Sequence, residues 1–471
     1  MHSLRMDVEC VKRFFIILVT AGLLTGCSSR QPAPGSQDKT VPGFGLEGKL
    51  DPADWAEFFP REYQTYLLNL EGGSDHSTFR GSDAFDRNSA WPFQWVLFDG
   101  WGMGKEYVES RGHTYSLIDQ LKIDPARRAA GGVCLTCKTP YVPELMEQMG
   151  IGYFSLPYDE VYAQIPENYN KLGVSCIDCH DGNTGELRLS RWTITEALAG
   201  LDGVPEQFNK KQLSMLTCAQ CHVTYSIPKD EDNNSVDLIF PWHRAAWDNI
   251  TIEAIEQQIK EDGLYEWTHA VTGIKLGHIR HPEFELFTNN SFHYNIGLSC
   301  SDCHMPEVTI DGEKTRSHQW TSPFKQGLES CSSCHGQSRQ ELKDRVISIQ
   351  QDINKLFTEA GFKAAQAAKA IEFANNTPKA DEALLSEAKE AYEKAYYRIT
   401  FIGAENSMGF HNPTEARRVL NDGLRFAATA EDRAREAVIA AGVTPPAVFD
   451  LELEKYPYNP EENRAYNFQE Q

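Results

Sequence analysis

Ten of the 12 cysteines in this chain fall into five C-x-x-C pairs: Cys134/Cys137, Cys176/Cys179, Cys218/Cys221, Cys300/Cys303 and Cys331/Cys334. Histidine follows four of them directly, as His180, His222, His304 and His335. With 14 histidines in 471 residues, that coincidence has a chance on the order of 10⁻⁵. C-x-x-C-H is the attachment signature of c-type haem: the thiols bond the vinyl groups and the histidine ligates iron. Disulfide pairing needs no histidine at that place, and five zinc knuckles would be an odd use of an exported chain. A chain stitched to several haems folds around them, on short helices and loops anchored by the motif cysteines.

The remaining pair, the first along the chain, is Cys134-Leu135-Thr136-Cys137, and it is followed by Lys138. One reading is a degraded motif whose iron takes another ligand. The sharper reading has the Lys138 amine on the iron, deprotonated under the metal's own charge. A site that differs from four siblings in its proximal ligand is the candidate for chemistry, with its opposite face open. The other four suit electron transfer, which uses irons filled on both sides. Of the 14 histidines, four follow the pairs and His2 lies in the leader, so nine remain to supply second ligands.

The leader argues for export. Arg5, Lys12 and Arg13 flank an apolar run from Phe14 to Leu24, 11 residues long and too short to span a bilayer. It runs into Leu24-Thr25-Gly26-Cys27, which resembles a bacterial lipobox with Cys27 lipidated. Residues 1–27 are therefore expected to be a lipoprotein signal and 28–50 a flexible tether. The protein would sit on the periplasmic side, anchored by lipid to a membrane. The formal charge of −22, from 45 basic and 67 acidic residues, argues against a nucleic-acid partner.

One C-x-x-C-K followed by four C-x-x-C-H, in this order, resembles the pentahaem cytochrome c nitrite reductases that form ammonia. The likeness runs from about Asp51 to about Gly442. It is supported by Arg111-Gly112-His113, Cys218-Ala219-Gln220-Cys221-His222-Val223, His281-Pro282-Glu283, Cys303-His304-Met305-Pro306 and Phe410-His411-Asn412-Pro413. The resemblance implies five haem c groups and second ligands in pairs: His113 with His222, His318 with His180, His411 with His304, and His293 with His335. It implies that an arginine, Tyr225 and His281 surround the open face of the Lys138 haem. The arginine is Arg128 or the adjacent Arg127, with Arg128 slightly favoured. It further implies nitrite as substrate, a membrane quinol-oxidising cytochrome as donor, and a homodimer built on long helices. A pure electron wire is the competing function, and Lys138 is the feature that discriminates. An octahaem reductase is excluded by the motif count.

Many members of that family hold calcium beside the active site, through a glutamate before the tyrosine and a Lys-x-Gln-His string. Here those places read Thr224 and His278-Ile279-Arg280-His281. A carboxylate is gone and a cation has appeared, whereas calcium needs hard oxygen ligands. No calcium is expected there, with the Arg280 guanidinium in its place, as in a calcium-independent branch.

The expected fold is mainly α: a haem-binding catalytic region over 51–336, a bundle of long helices over 337–445, and a tail over 446–471. Leu342, Val346, Ile349, Ile353 and Leu356 make a 4-3-4-3 seam. Residues 380–402 and 413–440 also read as long helices, the second opening on an Asn412 cap with Pro413 first and Glu415 third.

Overall fold

Three long helices carry the C-terminal part of the chain, and each starts where its sequence supplies a cap. The computed structural model describes residues 43–71, 79, 86–108, 111–459 and 461. The leader with Cys27, the tether up to residue 42 and the end of the tail beyond 461 lie outside the described residues. The first long helix, Arg339–Asn375, opens on a capping box in which Ser338 and Glu341 satisfy each other's backbone N–H. Its seam is half used within this chain: Leu342 and Ile353 are buried, while Val346, Ile349 and Leu356 are only partly covered. The second, Glu382–Ala404, starts two residues later than the sequence pattern suggests. The Asp381 carboxylate accepts from the N–H groups of Ala383 and Leu384, 3.0 Å each, and fixes the boundary. The third, Pro413–Ala440, begins as expected, with Asn412 accepting from Glu415 N–H at 3.2 Å.

Small residues let these helices approach closely. Ala360, Ala364, Ala367, Ala368 and Ala374 are buried on the first, Ala388 and Ala395 on the second, and Ala416, Ala427 and Ala434 on the third. A Cβ at Gly361 would stand 2.3 Å from the Phe93 ring, so this position has no room for a side chain. Phe93 belongs to a buried short helix, Phe93–Leu97, and this contact joins the long helices to the haem-motif region. One hydrophobic core runs through both, from Leu46 to Phe449.

Between Gly43 and Ser338 the described chain is short helices and loops. Its only paired strands are two small antiparallel hairpins, Trp267–Thr268 with Lys275–Leu276 and Glu307–Ile310 with Glu313–Arg316. The second turns on Asp311-Gly312, both at positive φ, as a two-residue turn between twisted strands requires. Among the described residues no helix is long and apolar enough to cross a membrane.

Candidate haem sites and catalytic pocket

The motif cysteines sit at helix ends that their own neighbours cap. Ser175 and Asp178 form a capping box around the helix Cys176–Cys179, and Ser299 and Asp302 repeat it around Cys300–His304. The helix Lys210–Ala219, capped by Asn209 and Gln212, delivers Cys218 and Cys221. None of the ten motif cysteines is paired in a disulfide, which leaves all ten sulfurs available for haem attachment.

The remote histidines come to the motif histidines in four pairs. Ring centres are 5.7 Å apart for His113 and His222 and 6.1 Å for His180 and His318. They are 6.2 Å for His304 and His411 and 6.5 Å for His293 and His335. Imidazole nitrogen bonds a transition metal at about 2 Å and the ring centre lies about 1 Å further, so two rings across one iron have centres about 6 Å apart. His281 also approaches His222, at 6.3 Å, so distance alone does not choose a ligand.

The hydrogen bonds add a second criterion. Nδ1 of His113, His180, His304 and His318 faces the carbonyls of Trp320, Gly185, Thr321 and Arg316, at 3.3, 2.9, 2.9 and 3.0 Å. A carbonyl only accepts, so Nδ1 carries the proton and Nε2 keeps its lone pair for a metal. Burial pushes His304 down to about 4 and His113 to about 3, the neutral state that ligation requires. His411 and His222 are held differently. Glu405 Oε1 is 2.5 Å from His411 Nδ1, and Glu283 Oε2 is 3.5 Å from His222 Nδ1. Burial opposes ionisation of Glu405, yet His411, Ser407 and Gly409 together bring it down to about 2.

A buried polar knot ties three motif loops together. Arg191 donates to the carbonyls of Thr136 and Thr139, 2.7 and 3.0 Å, on either side of Lys138. It also pairs with Asp178, inside the second motif, at 2.6 Å. Gln220, inside the third motif, accepts from Arg191 N–H at 2.8 Å and donates to the Asp178 carbonyl at 3.3 Å. Ser116 donates to the Lys138 carbonyl at 2.9 Å. The thiols reflect the same packing: Cys137 lies against Cys221, Cys218 against Cys300, and Cys303 near Cys331 and Cys334. The first motif thus adjoins the third, the third the fourth, and the fourth the fifth. Cys179 of the second motif also lies near Cys218 and Cys221. The sequence reading passed over these variable motif positions, although the repeated Ser-Cys-x-Asp-Cys string was visible as a capping signal.

Beside Lys138 the chain gathers Tyr225, His281 and a cluster of arginines. His281 is half-buried at φ +42, an unusual conformation for a residue with a side chain, and its inaccessible Nδ1 has no hydrogen-bond partner among the described residues. Burial first, then the Lys138 charge and His222, push its pKa well below the ordinary imidazole value. Burial raises the Tyr225 hydroxyl above its usual value, against the pull of Arg280.

The two candidate arginines part ways. Arg128 turns to Asp159 at 2.7 Å and lies over the Tyr158 ring at 5.6 Å. Arg127 stands 5.9 Å from the Tyr107 ring centre and near Cys134 and His278: burial raises the Cys134 thiol against the pull of Arg280, Lys138 and Arg127, and burial lowers His278 with Arg280 and Arg127 adding to it.

Arg280 is buried and closely paired. Its guanidinium forks onto Glu266 at 2.7 and 2.5 Å and donates to the carbonyls of Tyr225 and His278 at 2.9 and 3.2 Å. It also lies 4.9 Å from the Tyr225 ring centre. Glu266 is wholly inaccessible. Behind this pair Glu285 accepts from Thr224 N–H and the Trp242 indole, 2.9 and 3.0 Å. Burial pushes its carboxyl up to about 8.

Comparison with known proteins gives one consistent picture. The sequence profile of the family described as cytochrome c552 matches residues 51–471. The cytochrome c nitrite reductase subunit NrfA of Nitratidesulfovibrio vulgaris is 31% identical over 409 residues, 80% of this chain and 77% of that one. A cytochrome c-552 of Porphyromonas gingivalis is 29% identical, over 82% of this chain and 76% of its own. In three dimensions the fold is similar to the catalytic subunit of the Desulfovibrio desulfuricans cytochrome c nitrite reductase, a protein with two calcium sites. The TM-score is 0.75 at 30% identity, covering 87% of this chain and 90% of that one.

Proposed function

The chain belongs to the cytochrome c552 family, and from that premise we propose that it reduces nitrite to ammonium at a haem held by Cys134, Cys137 and Lys138. It is a cytochrome c nitrite reductase, an oxidoreductase of multihaem type. The reaction takes up six electrons and eight protons and releases two waters. The histidine pairs His180/His318, His222/His113, His304/His411 and His335/His293 would hold four further haems, which would supply electron transfer to the Lys138 site. The observation that carries this reading is the arrival of four remote histidines at the four motif histidines.

The Lys138 haem, when bound, supplies an open iron position for the nitrite nitrogen and a path for electrons. The protein's part is charge and protons. Arg127, which lies near Cys134 of the lysine-bearing motif, is the arginine assigned to hold the anion; a guanidinium keeps its charge at any working pH. His281, unbonded at an inaccessible Nδ1, donates a hydrogen bond to the nitrite oxygens. Tyr225 positions them through its hydroxyl. Arg191 and Ser116 hold the carbonyls around Lys138 and so fix the direction of its amine.

Arg280 takes the place that calcium occupies in other family members. Its contacts with the Tyr225 and His278 carbonyls and with Glu266 leave those oxygens satisfied by N–H donors. One calcium per chain found at this place by metal analysis would overturn that assignment. The protein works on the periplasmic side, with Cys27 as lipid anchor, a membrane quinol-oxidising cytochrome as donor, and a second copy packed on its long helices.

The test uses purified holoprotein, reduced viologen and nitrite. Ammonium should form, and the ferric spectrum should contain one high-spin haem among low-spin ones. Lys138→His should keep five haems and lose most turnover. A wholly low-spin spectrum with nitrite untouched would reduce the protein to an electron wire.

A further inference from the structure

The helix that carries Arg127 does not set its own position. Pro125–Arg128 is a single turn, and so short a helix is unstable without outside contacts. The segment from Gly102 to Tyr107 supplies them. A Cβ at Gly102 would stand 2.9 Å from the Ala126 carbonyl oxygen and 3.2 Å from the Arg127 Cα, so the two backbones touch there. Asp124 N–H, just before the turn, donates to the Glu106 carboxylate. Tyr107, the next residue, brings its ring centre within 5.9 Å of the Arg127 guanidinium carbon.

The Tyr107 ring is itself clamped. Its backbone carbonyl accepts from Arg87 N–H at 2.8 Å, and the Arg87 guanidinium carbon stands 4.2 Å from the ring centre. Arg87 is buried and donates to the Gly403 carbonyl in the last turn of Glu382–Ala404, where the helix dipole favours a cation. The rings of Phe98 and His278 pack on Tyr107 as well, at 5.8 and 6.4 Å. One ring thus serves two guanidiniums. An aliphatic side chain would fill this place equally well but carries no negative face, whereas the face of an aromatic ring attracts both cations.

We propose that Tyr107 is a positioning residue for nitrite, whose ring holds the Arg127 guanidinium in the place where it meets the anion. This rests on Arg127 being the arginine that binds nitrite. The role is exercised through Arg127, so it belongs to substrate binding rather than to proton or electron transfer. Arg128, on the same turn, pairs instead with Asp159 and lies over the Tyr158 ring. Tyr158 is thus the matched control, a tyrosine beside an arginine that does not hold the anion.

The experiment is steady-state nitrite kinetics of the five-haem protein, driven by reduced viologen, on Tyr107→Leu, Tyr107→Phe, Tyr158→Leu and Arg127→Ala. Tyr107→Leu should raise KM about three- to fivefold, the worth of a long cation–π contact, and change kcat by less than about twofold. Tyr107→Phe keeps the ring and should restore most of the wild-type KM. Tyr158→Leu should leave KM nearly as it is. Added to Arg127→Ala, Tyr107→Leu should raise KM no further. An unchanged KM in Tyr107→Leu overturns the proposal, and so does an equal rise in Tyr158→Leu or in the Arg127→Ala background. An unchanged KM in Arg127→Ala alone sinks the assignment of the anion to Arg127, and the proposal with it. Should Tyr107→Leu lose haem, Tyr107→pentafluorophenylalanine decides. That ring has nearly the shape of phenylalanine with its face charge reversed, so KM must rise above that of Tyr107→Phe, and an equal KM would refute the role.

Discussion

Replacing Arg280 by alanine isolates the charge arrangement that sets this pocket apart. The guanidinium makes two bonds to Glu266, at 2.7 and 2.5 Å, and one each to the Tyr225 and His278 carbonyls. Both charged groups are nearly inaccessible, 8% and 0%. Removing Arg280 leaves the Glu266 anion buried without its cation. Breaking a buried pair from one side costs roughly 3–5 kcal/mol. A domain has about 5–15 kcal/mol in total, so a large share of its stability would go. The double variant Glu266→Met/Arg280→Met removes both charges and fills the space, and should recover most of the loss. The assay is urea unfolding of the holoprotein, followed by near-ultraviolet circular dichroism. A cost below 1 kcal/mol for Arg280→Ala, or a double variant as weak as the single one, would refute the reasoning, because it would mean that Glu266 never depended on Arg280.

Other expectations follow from single contacts. Arg127→Ala should raise KM for nitrite by about 10–100-fold, the value of a hydrogen bond to a charged group, while Arg128→Ala should leave it nearly unchanged; steady-state kinetics of the two variants separates them. Glu285 should make stability pH-dependent in the direction opposite to most acids. Its carboxyl is raised from 4.5 to about 8 by burial, so the fold retains a proton that the unfolded chain releases. That stabilisation is complete below the unfolded value and fades as pH rises through about 8, and Glu285→Gln should flatten the decline in urea midpoints over that window. Gly361→Ala should cost about 1–3 kcal/mol by pressing a methyl group into the Phe93 ring, read as a lower unfolding midpoint with haem content unchanged.

The five C-x-x-C strings were legible because each is local: two thiols followed by a histidine, or once by Lys138, in five consecutive residues point to haem attachment whatever surrounds them. The start of Pro413–Ala440 was legible for the same reason, since a cap and a first-turn proline act on their own turn. The mainly α character followed from the helix periodicity of the C-terminal part and the lack of strand alternation elsewhere. Tertiary structure decided what depends on distance through space. Glu405 and Glu283 lie far apart in sequence yet meet one loop, and no periodic signal points from either to its histidine. Arg127 and Arg128 are chemically identical neighbours, and their different surroundings, Asp159 for Arg128 and the Tyr107 ring for Arg127, come only from the fold. The cation at Arg280 could be read from the chain, but its buried partner Glu266 could not, because a charge pair is specified by where the backbone brings two side chains together.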